Sequence, residues 1–299
     1  MKEKTAGRKE IEKLMAELAR NVMQQSPGFS AGPKKTTAGR SSEDAAREAQ
    51  ELVYDAWEEG SKSKRIRLAR KALALYPDCA DACNLLAADA ARTPAEEMDY
   101  YEKGMAAGHR ALGEKKFKEW KGHFWGVLDT RPYMRARAGL MQCLWEAGEV
   151  DAAIHHAKEL LKLNPNDNQG IRYVLIAYLA ELGRYQDLEK FMRARGYRND
   201  CMADWLYTGV LLSFVKEGDA EKSRKELSNA MKMNAHVPKY LTGKRPIPSV
   251  LPDRIIVGGE DEAFCYASAN LSAWRKVPGA LDWLKARISA KSVVRGKKV

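Results

Sequence analysis

Apolar and polar positions recur along this chain with the three-to-four-residue step of amphipathic helices, and no stretch keeps the two-residue alternation of a strand. Ser42, followed by Glu43 and Asp44, predicts an N-cap. Ala46, Ala49, Leu52, Val53, Ala56 and Trp57 then mark one face of a helix ending at Gly60. A second helix is expected to stop at Tyr76-Pro77, because proline cannot continue it. A third carries Cys79, Ala82, Cys83, Leu86, Ala87 and Ala90 on one stripe. Thr93-Pro94-Ala95-Glu96 then predicts another start, with Thr93 as cap, Pro94 at the first helical position and Glu96 closing a capping box. Residues 3 to 25 keep a weaker helical pattern with charges all round. The Pro, Gly and Ser piled up from Ser26 to Ser42 read as a flexible linker, so the ordered part is expected to begin near Ser42.

From Tyr133 onward the pattern repeats. Gly148, Gly183 and Gly218 lie 35 residues apart, each with an acid shortly before it and ahead of a polar helix start, and Asn164, Asn199 and Asn234 keep the same step. Between these markers the apolar residues stay helical, most plainly Ile171, Val174, Leu175, Tyr178 and Leu182. Each unit therefore reads as helix, glycine turn, helix and a breaker such as Asn164-Pro165. That content at that period resembles the tetratricopeptide repeat. The likeness is strongest over residues 133–166, where Ala153 is the small residue that lets paired helices approach and Pro165 ends the second helix. The fold expected is all-α, a right-handed α-solenoid of tetratricopeptide-like helix pairs with a C-terminal helical cap.

After Asn234 the grammar changes. His236 to Asp253 holds four prolines and is not expected to form a regular helix; two short helices follow, one with Glu262, Ala263, Tyr266 and Trp274, the other with Leu281, Trp283 and Leu284. The expected organisation is a basic, largely disordered arm and linker over 1–41, helical repeats over 42–235, a Pro-rich loop and helical cap over 236–289, and a basic tail over 290–299. The strings N-A-H-V-P-K-Y-L (234–241), G-G-E-D-E-A-F-C-Y-A (258–267) and W-R-K-V-P-G-A-L-D-W-L (274–284) resemble the C-terminal region of the suppressor of tumorigenicity seven protein family. With the repeats before them, the resemblance covers roughly residues 133 to 284. It implies helical-repeat architecture, no established enzymatic activity and no catalytic residues. Animal members carry hydrophobic membrane segments before this region, which this sequence lacks, so the resemblance does not bring a membrane role with it.

Charge changes the picture less than its total suggests. The formal net charge is +11, but residues 1–40 hold nine Lys/Arg against four Glu and residues 285–299 hold six against none, which leaves the body formally neutral. Basic tails of this kind keep a protein soluble or contact nucleic acid weakly and without specificity. One stretch of the body departs from this balance. From Arg110 to Arg137, basic side chains interleave with Phe117, Trp120, Phe124, Trp125 and Tyr133. The longest apolar run, Val174 to Ala180, has seven residues, well short of the roughly 20 that span a bilayer. The acid-bearing N-terminus is no secretory signal, and five scattered cysteines point to a reducing compartment, so a cytoplasmic protein without membrane contact is expected.

Candidate chemistry is sparse. Cys79 and Cys83 sit four apart without the further ligands zinc requires, His155 and His156 are adjacent and diverge on a helix, and His109, His123 and His236 are isolated. Gly258-Gly259 before Glu260 and Asp261 reads as a loop with an acidic helix start, since acids repel phosphate. No nucleophile elbow, Walker or dinucleotide string occurs, and the residues imply no metal and no cofactor. The candidate partner-binding residues are Lys121, Trp125, Arg131, Tyr133, Arg135 and Arg137, joined by Asn168 and Arg172, which are i, i+4 neighbours in the helix after Asn166. The competing reading has the aromatics in the core, the arginines solvated and Asn166 capping its helix. The function expected is a non-enzymatic protein–protein interaction scaffold whose concave groove binds a segment of another protein. The alternative is a nucleic-acid or ribosome-associated binder using the tails and the 110–137 patch.

Overall fold

A computed structural model of the chain describes residues 41–197, 199–252 and 254–296. The helix expected over 3–25 and the linker and basic arm ahead of Ser41 lie outside the described residues. Those that are described are helical or irregular, with no strand among them, and fall into two compact units, one up to Arg172 and one from Tyr173.

The first unit contains α1 (Ser42–Glu58), α2 (Lys62–Leu75), α3 (Ala80–Asp89), α4 (Pro94–Glu119), two short 3-10 turns (Phe124–Gly126 and Leu128–Thr130), α5 (Arg131–Glu146) and α6 (Val150–Leu163). Each helix packs on the next in sequence, and α3 also packs on α1 and α5. The odd-numbered helices therefore share one layer, with α2, α4 and α6 lying against it. That is the tetratricopeptide-like pairing expected of an all-α repeat protein. The helix starts differ slightly from expectation. Ser41, one residue earlier than predicted, caps α1 by accepting from the Asp44 N–H at 3.1 Å. Thr93 accepts from the Glu96 N–H at 3.2 Å, whereas the Glu96 carboxylate reaches back past the cap to the Arg92 N–H at 2.7 Å.

Gly148, Gly183 and Gly218 share more than their spacing. All three take positive φ (87°, 67° and 60°) at the end of a helix, the left-handed conformation that glycine adopts without strain. The asparagine marker splits into two classes: Asn164 and Asn234 are buried at helix C-caps, while Asn199 is exposed. Close helix approach in this unit depends on small residues. Ala153 is fully buried on α6, and a Cβ added to Gly139 of α5 would overlap the Tyr101 ring of α4. Gly139→Ala is expected to destabilise the protein by about 2 kcal/mol through overpacking, visible as a lower urea midpoint with unchanged slope. An unchanged midpoint would show that α4 and α5 do not approach this closely.

The second unit contains most of α7 (Ile171–Glu181), α8 (Tyr185–Met192), α9 (Ala203–Glu217), α10 (Glu221–Met233), α11 (Val237–Leu241), α12 (Glu260–Lys276) and α13 (Ala280–Gly296). Three expectations change here. Pro238 is tolerated in the first turn of α11, where no intrahelical N–H is needed, so the Pro-rich stretch opens with one helical turn. The two helices after it are 17 residues each and not short, and the backbone of 290–296 continues α13. α9 lies at the centre of this unit, packed by α8, α10, α12 and α13, and buries Trp205, Tyr207, Val210 and Leu211. At the turn before α10, Asp219 accepts from Arg224 Nε at 2.8 Å, from Trp283 Nε1 at 2.6 Å and from Arg287, which pins α13. Arg224 and these other donors hold the Asp219 carboxyl well below the usual carboxylate range.

Candidate partner-binding face

Asp81 stands in the first turn of α3, where the helix dipole favours an anion, yet its side chain is 0% exposed. A carboxylate withdrawn from water needs several donors, and three helices supply them. Arg135 of α5 reaches it with two nitrogens, Nε at 2.7 Å from Oδ1 and Nη2 on Oδ2. Gln50 of α1 donates at 3.1 Å and Asn84 of α3 at 3.1 Å, and Asn84 also donates to the Pro132 carbonyl at 3.0 Å. The Arg135 guanidinium lies over the Trp57 ring, 5.2 Å from its centroid. The odd-numbered layer is thus braced side to side by one buried acid.

Arg131, one turn before Arg135, is built differently. Its Nε donates to the Trp125 carbonyl at 2.9 Å and its guanidinium stacks 5.3 Å from the Trp125 centroid. Among the described residues it forms no ion pair. Burial and the neighbouring Arg135 lower its pKa without removing its charge at neutral pH. Tyr54, at 45% exposure, stands beside Trp57 with ring centroids 5.5 Å apart. Its hydroxyl pKa is raised by burial and by Asp81.

The predicted residues therefore separate into groups. Trp125, Arg131 and Arg135 come together with Trp57, which the sequence marks only as an apolar helix position, and with Tyr54, which it does not mark. Tyr133 is buried in an edge-to-face cluster with Phe117 and Phe124, and its hydroxyl accepts from Arg137 at 2.7 Å. Arg137 thus belongs to the packing between α5 and α6. Burial, with Arg137 and His155 nearby, lowers the His156 pKa to about 4, so this imidazole is neutral. Lys121 is exposed on the turn after α4. Within the 110–137 segment Thr130 closes the two short turns on the Phe124 and Val127 carbonyls, and Phe124, Trp125 and Tyr133 are buried, whereas Trp120 is part-exposed with Lys116 Nζ 5.5 Å from its ring centroid.

Asn168 and Arg172 also part company. Asp167, not Asn166, caps α7, accepting from the N–H groups of Ile171 at 2.7 Å and Arg172 at 2.9 Å. Arg172 Nη1 returns to the same carboxylate at 3.0 Å, while Asn168 accepts from Asn164. Asp167 sits at φ 51°. Its burial raises the carboxyl pKa against these donors. The sequence offered one clue: an acid four residues ahead of an apolar run.

Cys79 and Cys83 are buried against the apolar stripe, which pushes their thiols up to about 12 and about 11 and leaves them poor nucleophiles. Among the described residues no three His, Cys, Asp or Glu side chains are grouped to hold a metal ion, and no helix is long and apolar enough to cross a membrane.

The residues that carried the C-terminal resemblance form a buried hub of the second unit. Glu262 is 1% exposed; its Oε1 accepts from the Ala203 N–H at 2.9 Å, and its Oε2 from Asn234 Nδ2 and the Gly258 N–H, both at 2.8 Å. Tyr266 accepts from Trp274 Nε1 at 2.9 Å, and the Asn234 carbonyl accepts from the Tyr207 hydroxyl at 2.6 Å.

The solved structure of YrrB, described as a TPR protein with an unusual peptide-binding site, superposes with a TM-score of 0.44 at 19% identity over 64% of this chain and 86% of that one. The protein ST7 homolog of Caenorhabditis elegans is 27% identical over 282 residues, covering 81% of this chain and 51% of its own length. The suppressor of tumorigenicity 7 protein-like of Homo sapiens is 27% identical over 264 residues, covering 81% and 45%. The chain spans about half the length of the curated relatives it matches. The family model described as ST7 protein matches residues 35–294, and the chain belongs to that family.

Proposed function

We propose that the chain is a non-catalytic, cytoplasmic interaction scaffold, and that the face built from α1, α3 and α5 binds a segment of another protein. The observation that carries this reading is Arg131: an acid-free guanidinium held over Trp125 beside the half-exposed Tyr54, on a layer that Asp81 and Arg135 make rigid. An arginine and aromatic rings fixed before the partner arrives lose little side-chain freedom on binding. Arg131 would take a carbonyl or carboxylate of the segment and Tyr54 an apolar side chain. Repeats over 42–235 would carry the recognition, with residues 236–289 covering the apolar end of the α9–α10 pair.

Peptides selected against the intact protein from a random display library test this, with affinities measured by calorimetry. Arg131→Ala and Tyr54→Ala are each expected to weaken the selected peptides about tenfold or more, with the protein still folded and its stability lowered by no more than about 1 kcal/mol. Peptides whose affinity ignores both substitutions would remove the face from the reading. The nucleic-acid reading of the 110–137 segment has less support, because Phe124, Trp125 and Tyr133 are buried.

A further inference from the structure

Helix α2 carries Lys62, Lys64, Arg65, Arg67, Arg70 and Lys71 and no acid. Two of these have acidic partners: Arg65 is tied by Asp89 of α3, at 2.6 Å and 2.8 Å, and Lys64 lies 3.4 Å from Glu59. The other four are exposed and, among the described residues, form no ion pair. Helical geometry places Lys64, Arg67, Arg70 and Lys71 within about 120° of arc, and only Ser63 and Ala74 share that arc. The opposite side is committed to the core through Ala69 and Ala72, both fully buried. Arg65–Asp89 fixes the rotation of the helix, so the basic arc faces outward.

We infer that this outer face of α2 is a docking surface for the phosphate backbone of a nucleic acid, bound without reading its sequence. Charge complementarity selects the occupant. A row of cations about one helical turn apart meets the repeated phosphates of a strand, and backbone contacts need nothing more. An acidic peptide would also want apolar or aromatic anchors, which this arc does not offer. A membrane surface would want an apolar face to insert, and that of α2 is already buried. The site lies in the layer away from Arg131 and is independent of the reading given for that face.

The test uses the full chain, a fluorescein-labelled oligouridylate and the variant Arg67→Glu/Arg70→Glu/Lys71→Glu, followed by anisotropy over a salt series. The wild-type chain is expected to bind, and the variant to bind about tenfold or more weakly with a salt slope flatter by about two, even with both basic tails present. The Gln counterpart at the same three positions should give the same flattening, which separates lost contacts from new repulsion. Thermal unfolding should not move, because these side chains support no packing. Equal affinity and slope in wild type and variants would overturn the proposal, as would failure of the wild type to bind. So would a loss confined to sedimentation with phosphatidylserine-containing vesicles while oligouridylate binding stays intact, which would assign the surface to lipid.

Discussion

Replacing Glu262 by alanine is expected to destabilise the second unit by about 4 kcal/mol. Its carboxylate answers donors from three directions: the Ala203 N–H opening α9, the Asn234 side chain at the end of α10, and the Gly258 N–H ahead of α12. At 1% exposure no water replaces it, so each abandoned donor costs about 1–3 kcal/mol, with some relaxation between them. Two helix N-termini also lose the anion that offsets their dipoles. Glu262→Gln should fall between, because one oxygen becomes an amide nitrogen turned toward N–H donors. Urea unfolding followed by tryptophan fluorescence reads this directly, since Trp205 and Trp274 are buried in the same unit. A Glu262→Ala midpoint within about 1 kcal/mol of wild type would mean that the carboxylate is not the junction described.

Asp81→Ala should cost about 3–5 kcal/mol in the first unit for a related reason with a different sign of charge. It leaves Arg135, whose side chain is only 14% exposed, as a buried cation over Trp57, and it frees Gln50 and Asn84. The double substitution Asp81→Ala/Arg135→Met is expected to recover part of the loss, because it removes both charges and keeps an apolar stem against the indole. The cycle has a second readout. If Asp81 braces the partner-binding face, the double variant regains stability but still binds selected peptides more weakly, since α1, α3 and α5 are no longer held in register. Additive stabilities in the cycle would sink the pairing.

The helix pairs were legible because their signals are local. Thr93 and Pro94 announce a helix start within one turn. Gly148, Gly183 and Gly218 announce turns because a left-handed residue must follow the helix wherever it packs. The candidate face was legible only in part. Arg131, Arg135 and Trp125 were picked out by their interleaving, but that same pattern drew in Tyr133 and Arg137, which serve the core. In the sequence Trp57 is one more apolar position, although it is the surface on which Arg135 rests. Asp81 stands between two core cysteines with no local signal of its role, 54 residues from the arginine that neutralises it. The tie between Glu262 and Asn234 was likewise hidden, although the string containing each carried the family likeness.

Periodicity, caps and glycine spacing, read along the chain, were enough to establish an all-α repeat of paired helices, because these depend on neighbours within a turn or two and on which side must leave water. Which arginine is neutralised and which stays open, and which acid is buried, were decided only when helices distant in sequence came within hydrogen-bond reach. A charge has the same letter in either setting; its energy depends on the dielectric and the donors around it, and those exist only after packing.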